Sequence, residues 1–477
     1  MISYLRNKNH TPYVEVALLG PLVVVLLVAA AFVVRSHPVF PLALVGFAFV
    51  LLGGWKLEAW VLLVLGLVCV LPLDNAVQDF SFYPVAYQQF YSVPILVILY
   101  SLLYFHRAAA PLADFKRLHG KEDDDIMLVV NFLLVVYIIF LFMRGLAANH
   151  PFHYIRAEFF MLLYYVSYPF WTAFLRDHAS VYRWLKIFSL VAFATALLYF
   201  MFIATTHASL TDFIFVRLVT RQGQMVILAL PVVLTFALLS KKKHERVLFW
   251  LITLALFLFA FSLQQRTLWL TFVLMTPIYF LFFAFKHGPS TRAWITVGIG
   301  FMVVAILFFG LMWVLATFLH LDPSDALERW KSLIEQRDIS VRMRYIDGTL
   351  AMRYWTHSPL LGLGIGSHLF TVPTAGPHLY MDNSYVMILM KGGVVFLALI
   401  LVFYLIPAKR AFYVYRQSKD VLHRMIGASV FTTIIGIILY GMTMVNMLYY
   451  RFIFLYMFVF AIASKLYFDL KAEKENS

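Results

Sequence analysis

Chemistry in this chain would fall to a few arginines and a short acidic stretch that stand at the ends of apolar runs. Arg217 and Arg221, in FIFVRLVTRQGQMVILALP, are four residues apart, so a helical segment puts both on one face. Gly223 follows and would let backbone approach a ligand closely. Arg266 stands in FSLQQRTLWLT, where one apolar run stops and the next begins, beside Gln264 and Gln265. A guanidinium is planar, stays protonated and meets phosphate oxygens two at a time, so these positions suit a phosphate or pyrophosphate clamp. The bland alternative is arginines snorkelling to lipid headgroups or capping a hairpin. His378, Asp382 and Asn383 come just before the run that starts at Tyr385. Asp382, held ionised by nearby cations, suits a general base, while Asp and Asn at this point equally suit a helix N-cap.

These residues need elements to hold them, and the central one is the polar insert 319–383 between two apolar runs. Its first half reads as a helix, with Asp325 and Glu328 as a capping box and Leu327, Trp330, Leu333 and Ile334 as a stripe. A second helix puts Val341, Tyr345, Gly348, Met352 and Trp355 on one face. Arg342 and Arg353 share a flank of it and Arg344 lies across the stripe. Such a helix pair would lie in the membrane plane, with the arginines serving a substrate or anionic lipid. HSPLLGLGIGSHLF (357–370) carries glycines at 362, 364 and 366, which allow a tight turn whose exposed amides form an anion nest. No strand precedes it, so a dinucleotide-binding loop is rejected.

Composition sets the scaffold. Of 477 residues, 63% are hydrophobic and 13% charged, about half the charged share of a soluble domain. The single cysteine, Cys69, excludes a disulfide framework or a cysteine metal site, and Asp74, Asp79 and the scattered histidines argue no metal centre. About twelve to fourteen spans are expected by length. They are 16–34, 38–54, 57–72, 87–105, 126–143, 157–175, 182–202, 225–240, 246–262, 267–285, 293–318, 385–406, 425–443 and 447–468, with 38–54 and 57–72 insecure. The first run, Val16–Val34, lacks a cleavage site and reads as a span. The net charge of +14 would suggest nucleic acid in a soluble protein. Here most basic residues fall in alternate short loops, including 106–121, 176–186, 240–246, 286–292 and 407–424, which places both termini in the cytoplasm. The arginines left on the outer face, Arg144, Arg156, Arg217, Arg221 and Arg266, run against that rule and therefore call for a function.

The expected architecture is an all-α polytopic membrane protein. It divides into N-terminal spans (1–205), central spans with outer arginines (206–318), a large extracytoplasmic loop (319–384), and C-terminal spans with a cytoplasmic tail (385–477). A repeat is not evident and charges cluster at one mouth, which disfavours a lipid-linked oligosaccharide transporter. A non-catalytic scaffold leaves the outer arginines unexplained.

Over residues 210–400 the chain resembles the O-antigen ligase/polymerase superfamily of membrane glycosyltransferases. The resemblance rests on Arg221 with Gly223 and Pro231, on QQRTLWL around Arg266, on an Arg-bearing loop helix ending in PLLGLGIGSHLF (359–370), and on DNSYVMILMKGGVV (382–395). That last stretch looks like the family's His-Asn-x9-Gly, with Asp382 where the ligases carry histidine and His378 four residues earlier. The resemblance implies glycan transfer from an undecaprenyl diphosphate carrier at the outer face of the cytoplasmic membrane, without metal or cofactor. A polymerase would extend another lipid-linked repeat unit; a ligase would use lipid A-core. It further implies Asp382 or His378 as base, Arg266, Arg217 and Arg221 on the diphosphate, Arg342, Arg344 and Arg353 closing over it, and Asn383 beside the acceptor. Membrane lipids, a flippase and a chain-length regulator are the implied partners, and nucleic acid is not.

Overall fold

A computed structural model describes residues 124–175, 177–206, 224–262, 266–285, 294–295, 298, 302, 339–370, 377–378, 383–444, 446–448 and 450–475. The first four expected spans, most of the 293–318 span, the first insert helix, Arg217, Arg221 and Asp382 lie outside the described residues.

Long apolar runs without water must satisfy their backbone internally, and helices do this within one segment. The helices are α1 (Asp124–Ala147), α2 (Phe152–Leu162), α3 (Ser167–Phe174), α4 (His178–Thr206), α5 (Gln224–Leu239), α6 (Lys243–Ser262), α7 (Arg266–Ala284), α8 (Ile339–Thr356), α9 (Ser384–Gln417), α10 (Val421–Gly441) and α11 (Tyr450–Glu475). A two-residue antiparallel ladder, β1 (Leu369–Phe370) with β2 (Pro377–His378), follows α8. Among the described residues, five helices are long and apolar enough to cross a membrane, in α1, α4, α9, α10 and α11. α5 and most of α7 are shorter apolar helices. The chain is a helical membrane protein.

Neighbouring helices alternate in direction. Tyr404 meets Phe460 and Arg410 meets Ser464, so α9 and α11 run parallel. Tyr385 reaches Ile438 and Gly427 lies against Ala411, so α10 runs against α9. Met275 packs on Gly436 and Phe282 on Phe431, so α7 also opposes α10. Consequently the starts of α5, α7, α9 and α11 share one end of the bundle, here termed the loop end. Hydroxyls tie the helices inside the apolar core. Thr235 of α5 lies 2.8 Å from the Tyr279 hydroxyl of α7 and 2.5 Å from that of Ser429 on α10.

Two expectations are corrected. The 157–175 span is not one regular helix: a 3-10 turn at Leu163–Val166 joins α2 to α3. Pro169 has no N–H for the Tyr165 carbonyl, and buried Asn131 of α1 supplies one at 2.9 Å. The 385–406 span extends to Gln417, so 407–424 is mostly helix; its Arg410 lies over the Phe468 ring, and Lys474 of α11 lies over the ring of its Tyr413. On α8, Tyr345 of the stripe expected to lie on the membrane plane is 75% exposed. The turned-in residues are Leu350, Ala351 and Tyr354, because small Ala351 lets α8 approach the core.

Candidate functional site

The loop end is built around a break in α9. Gly393 has φ 67°, a left-handed conformation that a glycine adopts without steric cost. In an unbroken helix the carbonyls of Met390 and Lys391 would bond the amides of Val394 and Val395. Here the segment 359–364 inserts between them. Leu363 N–H donates to Met390 O at 2.9 Å and Gly364 N–H to Lys391 O at 2.8 Å. On the other side, Val394 N–H donates to Pro359 O at 2.9 Å and Val395 N–H to Leu360 O at 3.3 Å. The Tyr137 hydroxyl of α1 donates to Gly392 O at 2.8 Å. Backbone left unpaired at membrane depth costs several kcal/mol per group, so this interlock is what makes the break tolerable.

The same contacts overturn the expected anion nest. Gly362, Gly364 and Gly366 do all have positive φ. Their amides, however, are spent inside the protein: Gly362 N–H on Ser358 O, Gly364 N–H on Lys391 O, and Gly366 N–H on the Glu158 carboxylate at 2.6 Å. A side chain at Gly362 would run into the backbone of Lys391 and Gly392.

Side chains lock the loop from two further directions. Arg144, at the end of α1, donates from Nε to Gly362 O at 2.6 Å and from Nη2 to Ser358 Oγ at 2.8 Å. Lys391 Nζ stands 2.6 Å from Glu158 Oε1 and donates to Ser367 O at 2.7 Å. The Oε1 contact is an ion pair rather than an aligned hydrogen bond. His150, on the link from α1 to α2, sits 3.1 Å from the Leu363 carbonyl through Nε2. Burial holds its imidazole below the ordinary value of 6.5; the Leu363 carbonyl opposes this, and the Lys391 charge adds to it.

A second buried network joins the helix starts. Ser384 Oγ lies 2.9 Å from Asn446 Oδ1, Asn446 Nδ2 donates to the Tyr456 hydroxyl at 3.0 Å, and that hydroxyl donates to Gln224 Oε1 at 2.7 Å. All four side chains are buried. The network thus ties the first residue of α5, three after Arg221, to the first residue of α9, two after Asp382.

The candidates named from sequence divide as follows. Asn383 is the N-cap of α9, its side chain accepting the Val386 N–H at 3.1 Å. Arg266 opens α7, at the loop end, and Arg342 lies in the first turn of α8; for both, only the backbone is described. Arg344 and Arg353 are exposed on α8. The His378 backbone pairs with Leu369 in the β1–β2 ladder. Sequence reasoning passed over Glu158 and Lys391. Their signal was a lone charge inside each of two expected spans, which calls for a partner. Among the described residues no group of three or more His, Cys, Asp or Glu could hold a metal ion.

No protein-family model matches the chain, and no curated protein is similar to it.

Proposed function

We propose that the chain is a membrane glycosyltransferase of the O-antigen ligase/polymerase type, working as a polysaccharide polymerase at the outer face of the cytoplasmic membrane. The observation that carries this is the co-assembly of the stretches on which the resemblance rests. The segment 359–370 and the Asn383-x9-Gly393 stretch interlock through four backbone hydrogen bonds between 359–364 and 390–395. The helices that follow the Arg221 and Asp382 stretches begin at the same end and share a buried hydrogen-bond chain.

In this reading the acceptor is the non-reducing-end sugar of one undecaprenyl-diphosphate-linked repeat unit. Its hydroxyl oxygen attacks the anomeric carbon of a second lipid-linked glycan. The bond from that carbon to the diphosphate oxygen breaks, and the electron pair leaves with the lipid diphosphate. Arg217, Arg221 and Arg266 neutralise the charge that develops there, which is where oriented cations contribute most. Asp382 takes the acceptor proton, with His378 as the alternative base. Arg342, Arg344 and Arg353 lie on the helix that leads into the interlocked loop and bind the outer phosphates.

The test is purified full-length protein supplied with synthetic undecaprenyl-diphosphate-linked repeat units, a chelator and no added metal, with products resolved on a gel. A ladder of multiples is the expected result. Transfer only when lipid A-core is added would make the protein a ligase. Silence with both acceptors would overturn glycosyl transfer and favour a transporter of the same lipid-linked glycan.

A further inference from the structure

The Glu158–Lys391 ion pair is almost sealed from solvent, at 3% and 2% side-chain exposure. Burying two charges costs several kcal/mol per ion, and replacing such pairs by apolar groups is often neutral or stabilising. Bundle stability alone is thus a weak reason for the pair. Its local effect is to grip two consecutive residues of the loop from opposite sides. Glu158 Oε2 accepts the Gly366 N–H at 2.6 Å, and Lys391 Nζ donates to the Ser367 carbonyl at 2.7 Å. Glu158 belongs to α2, and Lys391 to the turn of α9 just before its break. Among the described residues, the small cavity beside the pair is otherwise lined by Leu162, Ile365, Phe396 and Leu448. The gripped residues lead within two positions to Leu369, which is fully buried and pairs with His378.

We infer that Glu158 and Lys391 are positioning residues that set the register of β1 and β2. They thereby fix where the His378 backbone is held against β1. The catalytic consequence rests on the glycosyl-transfer reading; the grip itself does not. Neither residue touches substrate.

The experiment uses the full-length protein and two readouts. For the first, Leu369→Cys in a Cys69→Ser background reports whether β1 stays buried, by its rate of maleimide labelling. The parent is expected to be protected. Glu158→Gln with Lys391→Met removes both charges together and leaves no lone buried ion. That double variant is expected to purify as the parent does, yet to label about 10-fold faster as local opening increases. For the second readout, without the reporter cysteine, the double variant is expected to lose about 10-fold or more in kcat with KM little changed. Parent-like protection and parent-like kcat would overturn the proposal and leave the pair a brace. Should the double variant fail to purify, Glu158→Gln alone, which keeps an acceptor for the Gly366 N–H, is labelled in isolated membranes, and parent-level protection there overturns it. A parent protein with no transfer activity would sink the glycosyl-transfer reading, and the labelling would still decide the grip.

Discussion

At the scale of single residues, the loop end depends on charges that are paired before any substrate arrives. Lys391→Met leaves the buried Glu158 carboxylate without its cation, with the Gly366 N–H still donating to it. Breaking a buried pair from one side costs about 3–5 kcal/mol, so the variant should unfold well below the parent temperature in detergent. A midpoint equal to the parent's would mean that the carboxylate finds another partner. His150 gives a pH dependence of known sign. Burial holds its folded value below 6.5, so protonation favours the unfolded chain. Its contribution is fully present above 6.5 and is lost as pH falls through 6.5 toward the folded value. Thermal midpoints taken from about pH 8 to about pH 5 should fall on acidification, and His150→Gln should flatten that fall. An unchanged slope would assign it to other groups. The cap at Asn383 was legible from its residue type at the start of an apolar run, as one of two neighbouring candidates. The Arg144 clamp was not, since its partners lie more than 200 positions away and no local pattern reports such a contact.

At the scale of elements, the break in α9 is the feature on which the loop depends. Any side chain at Gly393 would collide with the Leu360 carbonyl and would also carry the left-handed backbone penalty of about 1–2 kcal/mol. Gly393→Val should therefore give little monodisperse protein, whereas Gly298→Val, whose Cβ position has no atom of the described residues within 4 Å, should behave as the parent. Size-exclusion yields of the two variants check this, and equal yields would show that α9 can straighten. Apolar length made α1, α4, α5, α6 and α7 legible with ends off by a few residues, because lipid demands about 20 apolar residues per crossing, while the break between α2 and α3 was not legible that way. The same criterion ended α9 too early at 406. Arginines and lysines beyond Pro407 look like a loop in sequence, but the backbone stays helical to Gln417 and Arg410 lies over the Phe468 ring. The glycines of 362–366 were legible as a turn, but not its filling. That depends on carbonyls released by a helix break two dozen residues later.

At the scale of the whole molecule, alternate helix directions place the starts of α5, α7, α9 and α11 at one end and a lysine- and arginine-rich set, including Lys241, Lys243, Lys419 and Arg424, at the other. The outer-face placement we propose for the loop end follows from applying the positive-inside rule to that asymmetry. In a Cys69→Ser background, exposed Leu146→Cys should react with a membrane-impermeant maleimide in intact cells and Lys243→Cys only after lysis. The reverse pattern would put the loop end in the cytoplasm, away from any outer-face donor. The bundle was legible from hydrophobic length and charge alternation; the link between the starts of α5 and α9 was not, because it runs through buried side chains such as Asn446 and Tyr456. Glycan transfer at that meeting point is best tested by the rate of ladder formation on undecaprenyl-diphosphate-linked repeat units with chelator present, for the parent and for Asp382→Asn. A ladder from the parent and a rate about 100-fold or more lower in the variant are predicted for loss of a general base. No product from the parent, or equal rates, would contradict the account.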